Sequence, residues 1–141
     1  MPKQKPRSLK LFIDTNVVID FLDNSREGHE TAVRFFEHLS AHNPLMSEDQ
    51  LTTIYYLIKD KKGVLAFLDF IHRKWEIVAF GDEVIEEAIE LAHKSGGDFE
   101  DILQCLSAKR NGCDYIVTND RTFFECGIDI VSVEDFLKEV R

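Results

Sequence analysis

The chain has 141 residues, 44% of them hydrophobic and 11% aromatic, with 17 basic and 26 acidic side chains. That length suits one domain able to bury roughly 70% of the surface its unfolded chain exposes, and eleven phenylalanines beside seven glycines and three prolines exclude a disordered or linker-like polymer. The formal charge of −9 has the wrong sign for a protein that grips nucleic acid through a general basic surface. A nucleic-acid enzyme of this charge needs metal ions or a local basic patch. No run approaches about 18 consecutive apolar residues, so no membrane span is expected. Cys105, Cys113 and Cys126 form no CxxC pair, and their odd number points to reduced, partly buried thiols in a cytoplasmic protein.

Residues 1–8 carry proline and lysine and read as a loose tail; residues 9–141 show no internal boundary or repeat. Lys10–Ile13 is an expected buried strand that ends at Asp14. Asn16–Leu22 is too continuously apolar for an exposed helix. Glu30–Leu39 has helical spacing, closed by Pro44 after His42 and Asn43. Leu45 and Met46 suggest a second strand. Ser47 is the expected N-cap of a helix reaching Lys59. Val64–His72 is a further helix, Trp75–Phe80 a strand, and Asp82 to about Lys94 a helix stopped by Ser95, Gly96 and Gly97. Asp98–Asn111 is predicted helical, Tyr115–Thr118 and Ile130–Val131 as strands. Ser132 with Asp135 forms a capping box for a terminal helix.

Strands separated by helices imply parallel pairing with right-handed crossovers, hence an α/β fold: a three-layer α/β/α sandwich around a short parallel central sheet. In such sheets ligands bind at the carboxyl ends of the strands. Asp14 and Asp120 both follow strands there. Asp98 and Asp101 lie about 60° apart at one end of a helix, beside its apolar stripe, with Glu100 expected to point away. Singly, each acid could be a cap or turn residue. Gathered on one rim they would repel by about 4 kcal/mol per pair at 4 Å and an effective dielectric of 20, which a cation relieves. Hard oxygen ligands suit Mg²⁺ or Mn²⁺.

These residues carry a resemblance. Leu-Phe-Ile-Asp-Thr-Asn-Val-Val-Ile-Asp-Phe-Leu (residues 11–22) resembles the opening of the PIN-domain ribonuclease family. Asp98-Phe-Glu-Asp-Ile-Leu-Gln, followed by Gly112-Cys-Asp-Tyr-Ile-Val-Thr-Asn-Asp-Arg-Thr-Phe123, resembles its carboxyl half. The resemblance spans residues 9–137. It implies a PIN-like fold and a divalent-metal-dependent endoribonuclease acting on single-stranded RNA, often the VapC-like toxin of a toxin–antitoxin pair. A small antitoxin and a homodimer are the implied protein partners. The family acids map to Asp14, Asp101 and Asp120, with Asp98 matching an additional acid. Asn16 and Thr118 match the polar residues that support them. Many members carry a glutamate where this chain has Thr53. Asp49, one turn earlier on that helix face, or the adjacent Glu48 could compensate if the helix is shifted. The alternative is a catalytically weakened module that binds RNA or a protein.

Other features are weaker. The five histidines follow no ligand pattern, and no GxSxG, Walker-type or GxGxxG motif is present. Tyr55, Tyr56, Phe123 and Phe124 read as core rather than as base-stacking platforms. Arg121, beside Asp120, is the nearest cation for a substrate phosphate. Lys59, Lys61 and Lys62 read as a solvated loop.

Overall fold

Five short apolar segments form one sheet: β1 (Lys10–Ile13), β2 (Asn43–Ser47), β3 (Glu76–Val78), β4 (Tyr115–Val117) and β5 (Asp129–Val131). The computed structural model describes residues 8–139, so the expected tail over residues 1–8 lies outside it except for Ser8. The strand order is β3-β2-β1-β4-β5, and every neighbouring pair is parallel. Leu11, Phe12 and Ile13 are wholly buried, as in a parallel strand covered on both faces. The pleat sends Leu11 and Ile13 into one core with Phe35, Met46, Val117 and Phe136, and Phe12 into a second with Leu45, Cys105, Ala108 and Ile116.

The helices supply the outer layers. On the first face lie α1 (Thr15–Leu22), α2 (His29–Leu39), α3 (Asp49–Leu57), α4 (Lys61–Lys74) and α7 (Val133–Glu139). On the second, α6 (Phe99–Arg110) packs on the sheet, and α5 (Asp82–Ser95) packs on α6 through Val84, Ala88, Ile102 and Leu106. This is the three-layer sandwich that the sequence predicts. Seven consecutive residues of α6, Ile102–Ala108, are buried, so this helix has almost no wet face beyond its ends. No described helix is long and apolar enough to cross a membrane.

Most caps follow the sequence. Asp98 accepts from Asp101 N–H at 2.9 Å, Ser132 from Asp135 N–H at 3.1 Å, and Gly96 ends α5 in the left-handed conformation (φ +69°). Ser47 differs. It is the last residue of β2, and its N–H donates instead to Gln50 Oε1 at 2.8 Å. The helix that follows is also shorter than expected. Lys61 Nζ donates to the carbonyls of Ile58 (2.7 Å) and Tyr55 (2.5 Å), so the next helix caps its end. Pro44 does not close α2, which stops at Leu39; it lies inside β2. Pairing with β3 begins only at Leu45, so the missing proline N–H falls where β2 has no neighbour on that side.

The cysteine expectation is overturned. Cys105 on α6 and Cys126 in the β4–β5 connection form a disulfide, and only Cys113 is a free thiol among the described residues. They are 21 residues apart without a motif, and a count of cysteines carries no information on which side chains the fold brings together. The reduced-thiol argument for a cytoplasmic location therefore fails. Burial pushes the Cys113 thiol up to about 12, which leaves it unreactive in the native state. Native protein should accordingly release no colour from a thiol reagent, and unfolded unreduced protein one equivalent. Reduction should lower the urea-unfolding free energy by about 2–4 kcal/mol, with no such loss in a Cys105→Ser/Cys126→Ser variant. Identical midpoints with and without reductant in the parent would show that the crosslink adds nothing.

Candidate active site

The chain runs from β1 to β2 and β3 on one side, then crosses to β4 on the other side of β1. The carboxyl ends of β1 and β4 therefore flank the point where strand order reverses, where an open parallel sheet leaves a crevice. Asp14 follows β1 directly, and its N–H donates to the Val117 carbonyl of β4 at 3.0 Å. The side chain is 8% exposed and well supported. Thr15 N–H donates to Oδ1 at 2.7 Å; Thr118 Oγ1 (2.6 Å) and Asn16 Nδ2 (2.9 Å) donate to Oδ2. Burial nevertheless raises the Asp14 pKa above the usual carboxylate value, because those hydrogen bonds only partly offset it and Asp120 adds repulsion.

Asp120 sits beyond β4, its N–H donating to Thr118 Oγ1 at 3.0 Å and its Oδ1 accepting from the Thr122 N–H and hydroxyl. Asn119 locks this turn. Its N–H donates to Asn16 Oδ1 (3.3 Å), its Nδ2 to Asp20 Oδ2 (3.2 Å), and its Oδ1 accepts from Val133 N–H (3.3 Å). Asp20 is 8% exposed and paired with Arg26 at 2.7 Å. Gly28 must lack a side chain here, since a Cβ would come within 2.5 Å of Asp20 Oδ2. Sequence reasoning missed Asp20 and Asn119 as supports. The signal was available: an acid inside an apolar helix needs a partner.

The third element is α6, whose N-terminus reaches the same rim. Asp98 caps it and is exposed; Asp101 is half-buried one turn in. The Asp101 pKa is raised to about 7 by burial first, then by Asp98, Asp14, Asp120 and Glu100, all acting in the same direction. Asp14, Asp98, Asp101 and Asp120 thus share one electrostatic neighbourhood. Glu100 is exposed, in keeping with the expectation that it points away from the apolar stripe; its pKa is raised by desolvation where it is covered and then by the charges of Asp49, Asp98 and Asp14.

The donor set consists of hard carboxylate oxygens without a neighbouring ammonium or guanidinium in those interactions, which fits Mg²⁺ or Mn²⁺ chemically. The carboxylates share the rim without closing on one point, for among the described residues no three His, Cys, Asp or Glu side chains form a ready chelate. Thr53 is half-buried on α3, its hydroxyl turned back to the Asp49 carbonyl at 3.4 Å. Arg121 is exposed beside Asp120, lining a polar cavity of about 570 Å³ with Glu125, Glu134 and Asp135. Phe123 is buried, whereas Tyr56 is 77% exposed and is not core.

The arrangement can be set beside known proteins. The PIN domain family matches residues 11–128. The chain belongs to that family. This PIN domain is 37% identical over 135 residues to "Ribonuclease VapC1" of Aquifex aeolicus (strain VF5), covering 92% of this chain and 94% of the relative. Among solved structures, its fold is similar to Mycobacterium tuberculosis VapC20, described as a sarcin-ricin loop cleaving toxin (TM-score 0.68, 16% identity, 80% and 92% covered). It is also similar to a chain of the DNA-bound VapBC complex from Salmonella typhimurium (TM-score 0.63, 24% identity, 89% and 98% covered).

A carboxyl whose folded pKa lies near 7 and whose unfolded value is 3.8 keeps its proton longer in the folded state. The metal-free PIN domain should therefore lose stability as pH rises from about 4 to about 7, and no further from this group above that. Urea midpoints measured in EDTA across that range should fall, and Asp101→Asn should flatten part of the slope. A variant whose slope matches the parent would remove Asp101 from this account.

Proposed function

We propose that this PIN domain is a divalent-metal-dependent endoribonuclease that hydrolyses phosphodiester bonds of single-stranded RNA, acting as the toxin of a toxin–antitoxin pair. The observation that carries the reading is that Asp14 and Asp120 follow adjacent parallel strands where strand order reverses, and that both carboxylates act on Asp101 at the start of α6. The ribonuclease name of the Aquifex relative agrees with it. Asp14, Asp101 and Asp120 would hold Mg²⁺ or Mn²⁺, with Asp98 as a further ligand. When bound, the ion supplies a water of lowered pKa and neutralises charge at the phosphate.

The remaining roles belong to the chain. Thr118 and Asn16 hold Asp14 Oδ2 and the Thr15 N–H holds Oδ1, leaving Oδ1 with one fixed donor and room for another partner. The Asn119 turn presents Asp120, and Arg121 beside it would engage a substrate phosphate. A small antitoxin is the proposed protein partner, in line with the VapBC complexes among the structural neighbours. A homodimer is the other assembly proposed. The cytoplasm, where RNA is available, is the proposed location.

Thr53 favours one second reading, a weakened module that binds RNA or protein without cutting it. Single-stranded RNA incubated with Mg²⁺ or Mn²⁺ should be cleaved by the parent and spared in EDTA. Asp14→Asn and Asp120→Asn should each lower the rate by roughly 100-fold or more. Equal rates in parent and variants would end the metal mechanism. An inert parent that Thr53→Glu converts into a nuclease would instead establish the second reading.

A further inference from the structure

The strand pairs do not all run to the rim. β1 pairs with β4 as far as Ile13 opposite Val117, and β2 with β3 as far as Ser47 opposite Val78. The pairing of β1 with β2 stops earlier, at Phe12 opposite Leu45. The sheet therefore splits between β1 and β2 just before Asp14. In that register Ile13 follows opposite Met46, and the slanted bonds of a parallel ladder would next join the Ser47 N–H to the Ile13 carbonyl. Both groups are buried, and both need another partner once the strands part.

Gln50, in the first turn of α3, fills that gap. The Ser47 N–H donates to its Oε1 at 2.8 Å, and its Nε2 donates to the Ile13 carbonyl at 2.8 Å. The carboxamide is thus spliced into the ladder as a peptide group would be, with its acceptor toward β2 and its donor toward β1. Its orientation is fixed, because a reversed amide would set oxygen against the Ile13 carbonyl and N–H against the Ser47 N–H. Gln50, Ser47 and Ile13 are all wholly buried, so bulk water reaches neither bond.

The splice acts on Asp14 from both sides in sequence. Nε2 also donates to Thr15 Oγ1 at 3.1 Å, so the residues before and after Asp14 are both anchored to α3. On the other side of β1, the Asp14 N–H is held by the Val117 carbonyl of β4 at 3.0 Å. The backbone of Asp14 is therefore gripped between α3 and β4, while Thr118 and Asn16 hold its side chain. Thus α3 serves the site through a neutral amide, although it carries Thr53 where a glutamate is expected.

We propose that Gln50 is a positioning residue for Asp14: its carboxamide replaces one rung of the sheet, sets the opening between β1 and β2, and fixes the Asp14 backbone where the carboxylate can take a divalent cation. The inference rests on the metal-dependent reading above. Gln50 itself touches neither ion nor RNA. Only a carboxamide of this length offers a donor to one strand and an acceptor to the other; methionine fills the same space and does neither well.

Mn²⁺ affinity, read without RNA from the paramagnetic resonance of free Mn²⁺, separates positioning from packing. Gln50→Met should weaken Mn²⁺ binding by about tenfold or more, while circular dichroism reports a folded chain. Ile71→Ala, a core truncation on α4, should lower the unfolding midpoint yet leave Mn²⁺ affinity within about twofold of the parent. Thr15→Val keeps the shape, removes one of the two acceptors of Gln50 Nε2 and should weaken Mn²⁺ by about threefold. That variant decides the matter if Gln50→Met does not fold. Parent-like affinity in the deciding variant, or an equal loss in Ile71→Ala, would overturn this inference and leave the Asp14 site standing. A parent that binds no Mn²⁺ would overturn both.

Discussion

The hydroxyl of Thr118 joins the two strand ends on which the candidate site is built. It donates to Asp14 Oδ2 and accepts from the Asp120 N–H and from Asn16 Nδ2. Two chain segments thus depend on one buried oxygen, and the spacing of the two acids follows from it. The arrangement is possible because β1 and β4 are parallel neighbours whose carboxyl ends fall at the same level, Ile13 opposite Val117. Registry and chemistry are the same constraint here. A slip of β4 by one residue would turn Thr118 away from Asp14 and invert the faces of the strand.

The cost of the arrangement is electrostatic. The rim acids repel one another, and two arginines of the neighbouring elements are engaged elsewhere: Arg26 pairs with Asp20, and Arg110 with Glu83 at the far end of α6. Helix N-termini soften the repulsion, since α1 and α6 both start at acidic residues that accept backbone N–H groups. They do not cancel it: after burial, the first cause, neighbouring carboxylates add to the raised values of Asp14 and Asp101. The divalent cation proposed for the rim would relieve this repulsion, which would link the fold's stability to the proposed reaction.

Much of this was legible in the amino-acid order. Continuous apolar runs ending in Asp14 and preceding Asp120 reveal buried strands and their carboxyl ends, and the spacing of Asp98 and Asp101 against the stripe of α6 reveals a helix start near core. What escaped has physical causes. Ser47 looks like a cap, yet tertiary bonds from Gln50 compete for the same backbone and move the helix start. Asp49 gains its setting from Gln104, 55 residues away, and no local pattern encodes that meeting. The pairing of Cys105 with Cys126 is of the same kind.

That crosslink also closes a covalent ring. Residues 105–126 contain the end of α6, all of β4, Asp120 and the exposed Arg121 turn. A protease cutting at that turn would break the backbone without parting the two pieces, for the sulfur bridge still fastens the segment bearing Asp101 to the one bearing β5. The nicked molecule would keep its mass until a reductant released the halves.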